Sequence, residues 1–117
     1  SSSVLVFFMK KESEFQRNLI KDLEFLFPGC IVMKLDANYI QGIPDLIILY
    51  KNKWAALECK RSENEYIHDR RPNQDYYISI MDGTPFARFI YPENKLEVLV
   101  ELQCTLRSRR PSRLPRS

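Results

Sequence analysis

Two apolar runs separated by two residues constrain this chain more than any other feature. Residues 45–50 (Asp-Leu-Ile-Ile-Leu-Tyr) and 53–60 (Lys-Trp-Ala-Ala-Leu-Glu-Cys-Lys) flank Lys51-Asn52, which predicts two strands and a tight hairpin. Asn tolerates positive φ, so Asn52 is the residue expected to supply it. With a two-residue loop Tyr50 faces Lys53, and the same register sets Asp45 opposite Glu58. Those two carboxylates then share a face, with Cβ atoms about 5 Å apart. Lys60 emerges on that face two residues later, and Cys59 points to the other.

Two carboxylates this close repel unless a cation lies between them or one is protonated. One reading is a surface pair neutralised by Lys60. The other is a site for Mg²⁺, which takes one or two protein carboxylates and keeps several waters. Such an ion polarises a phosphate and acidifies a bound water, and a neighbouring lysine positions that water or offsets charge on phosphorus. Gly42, which permits close backbone approach, and Pro44 at the strand entrance favour the second reading.

The remaining chain supplies the elements around this hairpin. Phe15, Leu19, Leu23 and Leu26 recur at helical spacing over residues 12–27, and Pro28-Gly29 stops that helix. On this helical wheel Glu12 falls inside the apolar stripe and Glu14 points away. Glu12 either gains from the helix dipole or reaches the edge of a metal site. A strand is expected over residues 30–35 and a polar loop over 36–42. Residues 61–71 read as an exposed, mobile loop. A helix opens at Pro72 and runs to Met81, with Tyr76, Tyr77 and Ile80 as its apolar face. A last strand covers residues 86–91. Pro92-Glu93 opens a final helix buried through Leu96, Leu99, Val100 and Leu102. The order predicts an α/β fold with one mixed four-stranded sheet flanked by helices.

At 117 residues the chain has room for one core. Residues 1–8 read as a lead outside the core, 9–106 as the folded domain, and 107–117 as a basic, disordered tail. Five of the 18 basic residues and none of the 15 acids lie beyond Leu106, so the net +3 conceals a body at −2. The tail is either a solubilising extension or electrostatic help in holding a polyanion. The longest apolar run, Val4 to Met9, is far short of the ~20 residues a membrane helix needs, so no membrane partner is expected. Three dispersed cysteines and one histidine offer no zinc spacing, and reduced thiols in a cytoplasm are expected.

Gly42-Ile-Pro-Asp-Leu46 followed by Glu58-Cys-Lys60 resembles the signature of the PD-(D/E)xK nuclease superfamily. Within it the chain looks like the small stand-alone VRR-NUC and Holliday-junction-resolvase-like nucleases carried by bacteriophages. The resemblance spans about Lys11 to Gln103 and includes the segments at residues 12–16, 27–29, 54–58, 72–74 and 86–94. It implies a restriction-endonuclease-like αβββαβ core followed by a C-terminal helix, and metal-dependent hydrolysis of DNA phosphodiesters. On it Asp45, Glu58, the Cys59 backbone carbonyl and Glu12 hold Mg²⁺ or Mn²⁺. Lys60 activates the attacking water and Gln74 positions that lysine or a phosphate. Lys34, Lys51, Lys53, Arg61, Arg70 and Arg71 are candidate phosphate contacts. Tyr39, Tyr66, Tyr76 and Tyr77 are candidates for stacking on bases. Branched DNA such as a four-way junction is the implied substrate, a homodimer the implied assembly, and a host cytoplasm the implied location if phage-encoded. A nicking or non-specific nuclease, or a non-cleaving nucleic-acid-binding protein on the same fold, are the alternatives.

Overall fold

The computed structural model describes residues 2–36, 38–82 and 86–108, with side chains from residue 13 onward. Along them run α1 (Ser2–Leu26), β1 (Ile31–Lys34), β2 (Leu46–Tyr50), β3 (Lys53–Cys59), α2 (Glu63–His68), α3 (Pro72–Met81), β4 (Ala87–Ile90) and α4 (Lys95–Leu106). The strands form one sheet in the order β1-β2-β3-β4, antiparallel across the first two pairings and parallel across the third. This is the mixed, helix-flanked sheet with a C-terminal helix that the element order predicts.

The hairpin register runs from Leu46 opposite Leu57 to Tyr50 opposite Lys53, as the loop length requires. Positive φ falls on Lys51, at 57°, and not on Asn52. A two-residue hairpin loop with left-handed φ at its first position alone needs nothing special of the second. The Lys51 ammonium lies 5.3 Å from the Tyr50 ring centroid.

Strand alternation sorts the sheet into two faces. Leu46, Ile48, Ala55, Leu57, Cys59 and Ile90 join Leu19, Leu23 and Phe27 from the first helix and its end, and Val98, Leu99, Leu102 and Leu106 from α4, in one core. The other face carries Glu58 and Phe89. Phe89 meets Tyr66 of α2 with ring centroids 5.1 Å apart, and α3 lies against β3 and β4. Three layers result, with α1 and α4 beneath the sheet and α2 and α3 above it.

The helices depart from expectation in four places. α1 begins at Ser2, so the helix expected over residues 12–27 extends back through residues 2–11. Its phase is as expected, with Leu19 and Leu23 buried, Phe15 and Leu26 packed against the core and Glu14 exposed. The segment expected as a mobile loop contains α2, whose N-cap Ser62 accepts the Glu65 N–H through its hydroxyl. α3 has the predicted bounds, but Tyr76 and Ile80 are exposed, while Tyr77, Ile78 and Met81 are half-buried.

α4 starts at Lys95 after the N-cap Asn94. That side chain accepts the Tyr91 N–H and donates to the Phe89 carbonyl, stitching strand to helix. Its buried stripe is Val98, Leu99, Leu102 and Leu106, and Leu96 is 81% exposed. Apolar residues nearly encircle this helix, so periodicity alone allowed more than one stripe. Among the described residues no helix is long and apolar enough to cross a membrane.

Candidate metal and nucleic-acid site

The site begins where the hairpin ladder stops. Beyond Leu46 and Leu57 the next rung is Asp45 with Glu58, and the one after would be Pro44 with Cys59. Pro44 has no N–H to give, so that rung cannot form in full. The Cys59 N–H donates to Asp45 Oδ2 at 2.8 Å, while the Asp45 carbonyl accepts the Leu35 N–H at 2.8 Å. A carboxylate thus closes the ladder, committing Oδ2 and leaving Oδ1 outside that bond. Glu58 is only 3% exposed and Lys60 only 6%. Opposite charges held this far from water need compensating partners at short range.

Lys60 is fixed at both ends. Its N–H donates to the Ile90 carbonyl at 2.9 Å, extending the parallel pairing past β3. Its Nζ donates to Gln74 Oε1 at 2.9 Å. The same Gln74 oxygen accepts the Arg71 N–H at 3.2 Å in the first turn of α3, so the glutamine is held by the helix it belongs to.

The preceding loop holds α3 in turn. Gly42 has φ +88°, and a Cβ there would sit 2.4 Å from Asn73 Cβ and 2.8 Å from the Asn73 carbonyl carbon. Only glycine lets the loop leading to Asp45 lie directly on the helix that carries Gln74. The sequence expectation of close backbone approach at Gly42 is met, and the partner is α3.

Glu12 belongs to α1, and its side chain lies outside the described ones. The helix ends against the hairpin, where Phe27 meets Tyr50 with ring centroids 5.2 Å apart, and its described apolar residues lie in the layer beneath the sheet. Among the described residues no three His, Cys, Asp or Glu side chains gather as a metal cluster. Two carboxylates and a main-chain carbonyl at Cys59 would offer hard oxygen donors, the chemistry that suits Mg²⁺.

The six candidate phosphate contacts divide. Lys34 ends β1, paired with Leu46 beside Asp45. Arg61 pairs with Glu65. Arg70 lies over the Tyr66 ring at 4.6 Å and bonds Asp75 at 2.8 Å. Arg71 is exposed at the N-cap of α3. These four share the end of the sheet that holds the acids.

Lys51 and Lys53 are at the opposite pole, about 23 Å away at 3.3 Å per strand residue. Lys53 is the clearest departure. It alternates with Ala55 and Leu57 onto the core face, is 7% exposed, and donates to the carbonyls of Thr105 (3.2 Å) and Ser108 (2.6 Å) at the end of α4. A buried ammonium occupied by carbonyls is poorly placed to meet a phosphate. Of the tyrosines, Tyr39 is fully outside at 86% exposed, whereas Tyr66 is already stacked between Arg70, Phe89 and Tyr91.

A groove of about 730 Å³ runs along the outer edge of β4. Asp75, Asp82, Glu97 and Glu101 outnumber Arg70 and Arg88 in its walls, a charge balance that disfavours phosphate. Burial, then the nearby Glu63 carboxylate, pushes the Tyr91 hydroxyl above its usual range there. Sequence reasoning missed Glu65, although Ser62-x-x-Glu65 is a helix-start signature. No protein-family model, curated protein or solved structure matches this chain.

Proposed function

We propose that this chain is a divalent-metal-dependent endodeoxyribonuclease of the PD-(D/E)xK kind, acting on branched DNA such as a four-way junction. The observation that carries the reading is one end of one hairpin. There the register that pairs Leu46 with Leu57, carried one step further, sets Asp45 opposite Glu58, and beside them a buried lysine is hydrogen-bonded to a glutamine on a separate helix. A structural ion pair requires no second helix to aim its lysine; general positioning at a reaction centre does.

Asp45, Glu58 and the Cys59 carbonyl would hold Mg²⁺ or Mn²⁺, with Glu12 as the further acid. When bound, the ion supplies Lewis-acid polarisation of a phosphate oxygen and a more acidic water. The chain's own residues do the rest. Asp45 is held by the Cys59 N–H, so its carboxylate is oriented before any substrate arrives. The Lys60 ammonium, shielded from bulk water, interacts strongly with developing negative charge. Gln74 accepts from it and limits where it can point. Arg71 and Lys34, on either side of the acids, are suited to hold backbone phosphates without reading bases. One body carries one such site, and a junction takes two cuts, so the reading includes a homodimer.

The test uses four-way junction, nicked and supercoiled DNA with Mg²⁺, with Mn²⁺ and with chelator. Cleavage that requires metal and is lost in Asp45→Ala and Glu58→Ala is expected. Lys60→Ala should lose at least about 100-fold in rate while Mn²⁺ binding, read by calorimetry, persists. Intact DNA with a retained gel shift would replace this reading with a non-cleaving nucleic-acid-binding protein.

A further inference from the structure

We infer that Glu65 is a positioning residue for Lys60, acting through the main chain at Arg61; the inference rests on the nuclease reading above. Its carboxylate grips Arg61 twice. Oε1 accepts the Arg61 backbone N–H at 3.2 Å, and Oε2 pairs with the Arg61 guanidinium. The gripped N–H belongs to the peptide unit that begins at the Lys60 carbonyl carbon. Lys60 is therefore held on both sides of its Cα, by Ile90 through its own N–H and by Glu65 through the next one. Gln74 holds the far end of the side chain.

The geometry of the helix start points the same way. Ser62 caps α2 by accepting the Glu65 N–H at 3.1 Å. In an ordinary capping box the glutamate three residues on would return to the N-cap N–H, that of Ser62. Here its carboxylate reaches one residue further, to Arg61. It braces the exit from β3 more than the helix it opens. Glu65 is also only partly accessible, with its side chain 12% exposed, so the grip is shielded from water and from salt.

This exit is where bracing matters. β3 ends at Cys59 and α2 begins at Glu63, leaving Lys60 on the first residue outside regular structure. A main-chain rotation there swings the ammonium by more than its hydrogen bond tolerates, and a misplacement near 1 Å can cost about 100-fold in rate.

Three variants of the full chain separate this role from a plain ion pair. Glu65→Gln keeps an oxygen at the same reach for the Arg61 N–H and discards the charge. Glu65→Asp keeps the charge and falls one methylene short. Glu65→Ala removes both. Cleavage of a four-way junction is followed in kcat and KM, beside amide hydrogen exchange at Arg61. The expected order of kcat is wild type, then Gln within about threefold, then Asp and Ala lower by about tenfold or more. KM should stay within about twofold throughout, and exchange at Arg61 should quicken only in Asp and Ala.

Asp equal to or better than Gln would overturn the inference in favour of the ion pair. Wild-type kcat in both Asp and Ala overturns it outright while leaving the nuclease reading intact. A wild-type chain that cuts no DNA with either metal overturns both. If Glu65→Ala does not fold, the Gln and Asp order decides alone.

Discussion

At the scale of single residues, Gly42 is the position where local conformation and the site meet. Its φ of +88°, and the 2.4 Å that would separate an added Cβ from Asn73 Cβ, leave no room for a side chain. Gly42→Ala should lower stability by about 1–3 kcal/mol, read as a fall in the urea midpoint with an unchanged slope. Because Asn73 neighbours Gln74, the same change should slow cleavage more than the stability loss explains. The sequence signalled that something approaches Gly42. It carried no sign that the visitor is α3, some thirty residues downstream, because steric contact across that separation leaves no local pattern. The register of the hairpin, by contrast, was legible, since the shortest loop admits a single pairing of Tyr50 with Lys53 through Leu46 with Leu57. Glu65 was half legible: its helix-start signature was present, but its reach to Arg61 depends on how the chain leaves β3.

At the scale of elements, α4 shows how a lysine can be misread. Lys53 stands first in β3, and the nuclease resemblance made it a candidate phosphate contact. Alternation instead turns it under α4, where it donates to the Thr105 and Ser108 carbonyls at the C-terminal end of that helix. Lys53→Met keeps the buried stem and removes those hydrogen bonds. It should cost about 1–3 kcal/mol of stability, checked by urea unfolding, and leave DNA affinity within about twofold of wild type. A marked loss of DNA binding in the folded variant would restore Lys53 to the interface. The misplaced stripe of α4 has a related origin. Leu96 and Val100 are as apolar as Val98 and Leu102, and only the sheet beneath selects which side is buried. α3 repeats this: its bounds followed from Pro72 and Asp82, but its inward face followed from where β3 and β4 lie.

At the scale of the whole molecule, charge is distributed against the site. The body carries a small net negative charge, and the cations near Asp45 are partly taken by Glu65 and Asp75. Residues 109–117 lie outside the described ones and contain four of the chain's 18 basic residues. Their removal takes the net charge from +3 to −1. If they neutralise phosphates, the truncated chain binds DNA more weakly, and its affinity falls less steeply with salt, by up to about four counterions. Metal-dependent cleavage at saturating DNA should persist. An unchanged salt slope in binding measured from 50 to 200 mM would reduce the tail to a solubilising extension.

Short-range patterns settled what short-range forces control: the hairpin, its register, the first helix and its buried stripe, and the class of fold. Each depends on neighbours within a few residues, through loop geometry or the pitch of a helix. The tertiary structure decided which lysines are buried, which side of α3 and α4 turns inward, and that Gln74 meets Lys60 while Glu65 holds Arg61. Those outcomes depend on excluded volume and on unpaired polar groups meeting across layers, and no local rhythm in the chain encodes who the partner is.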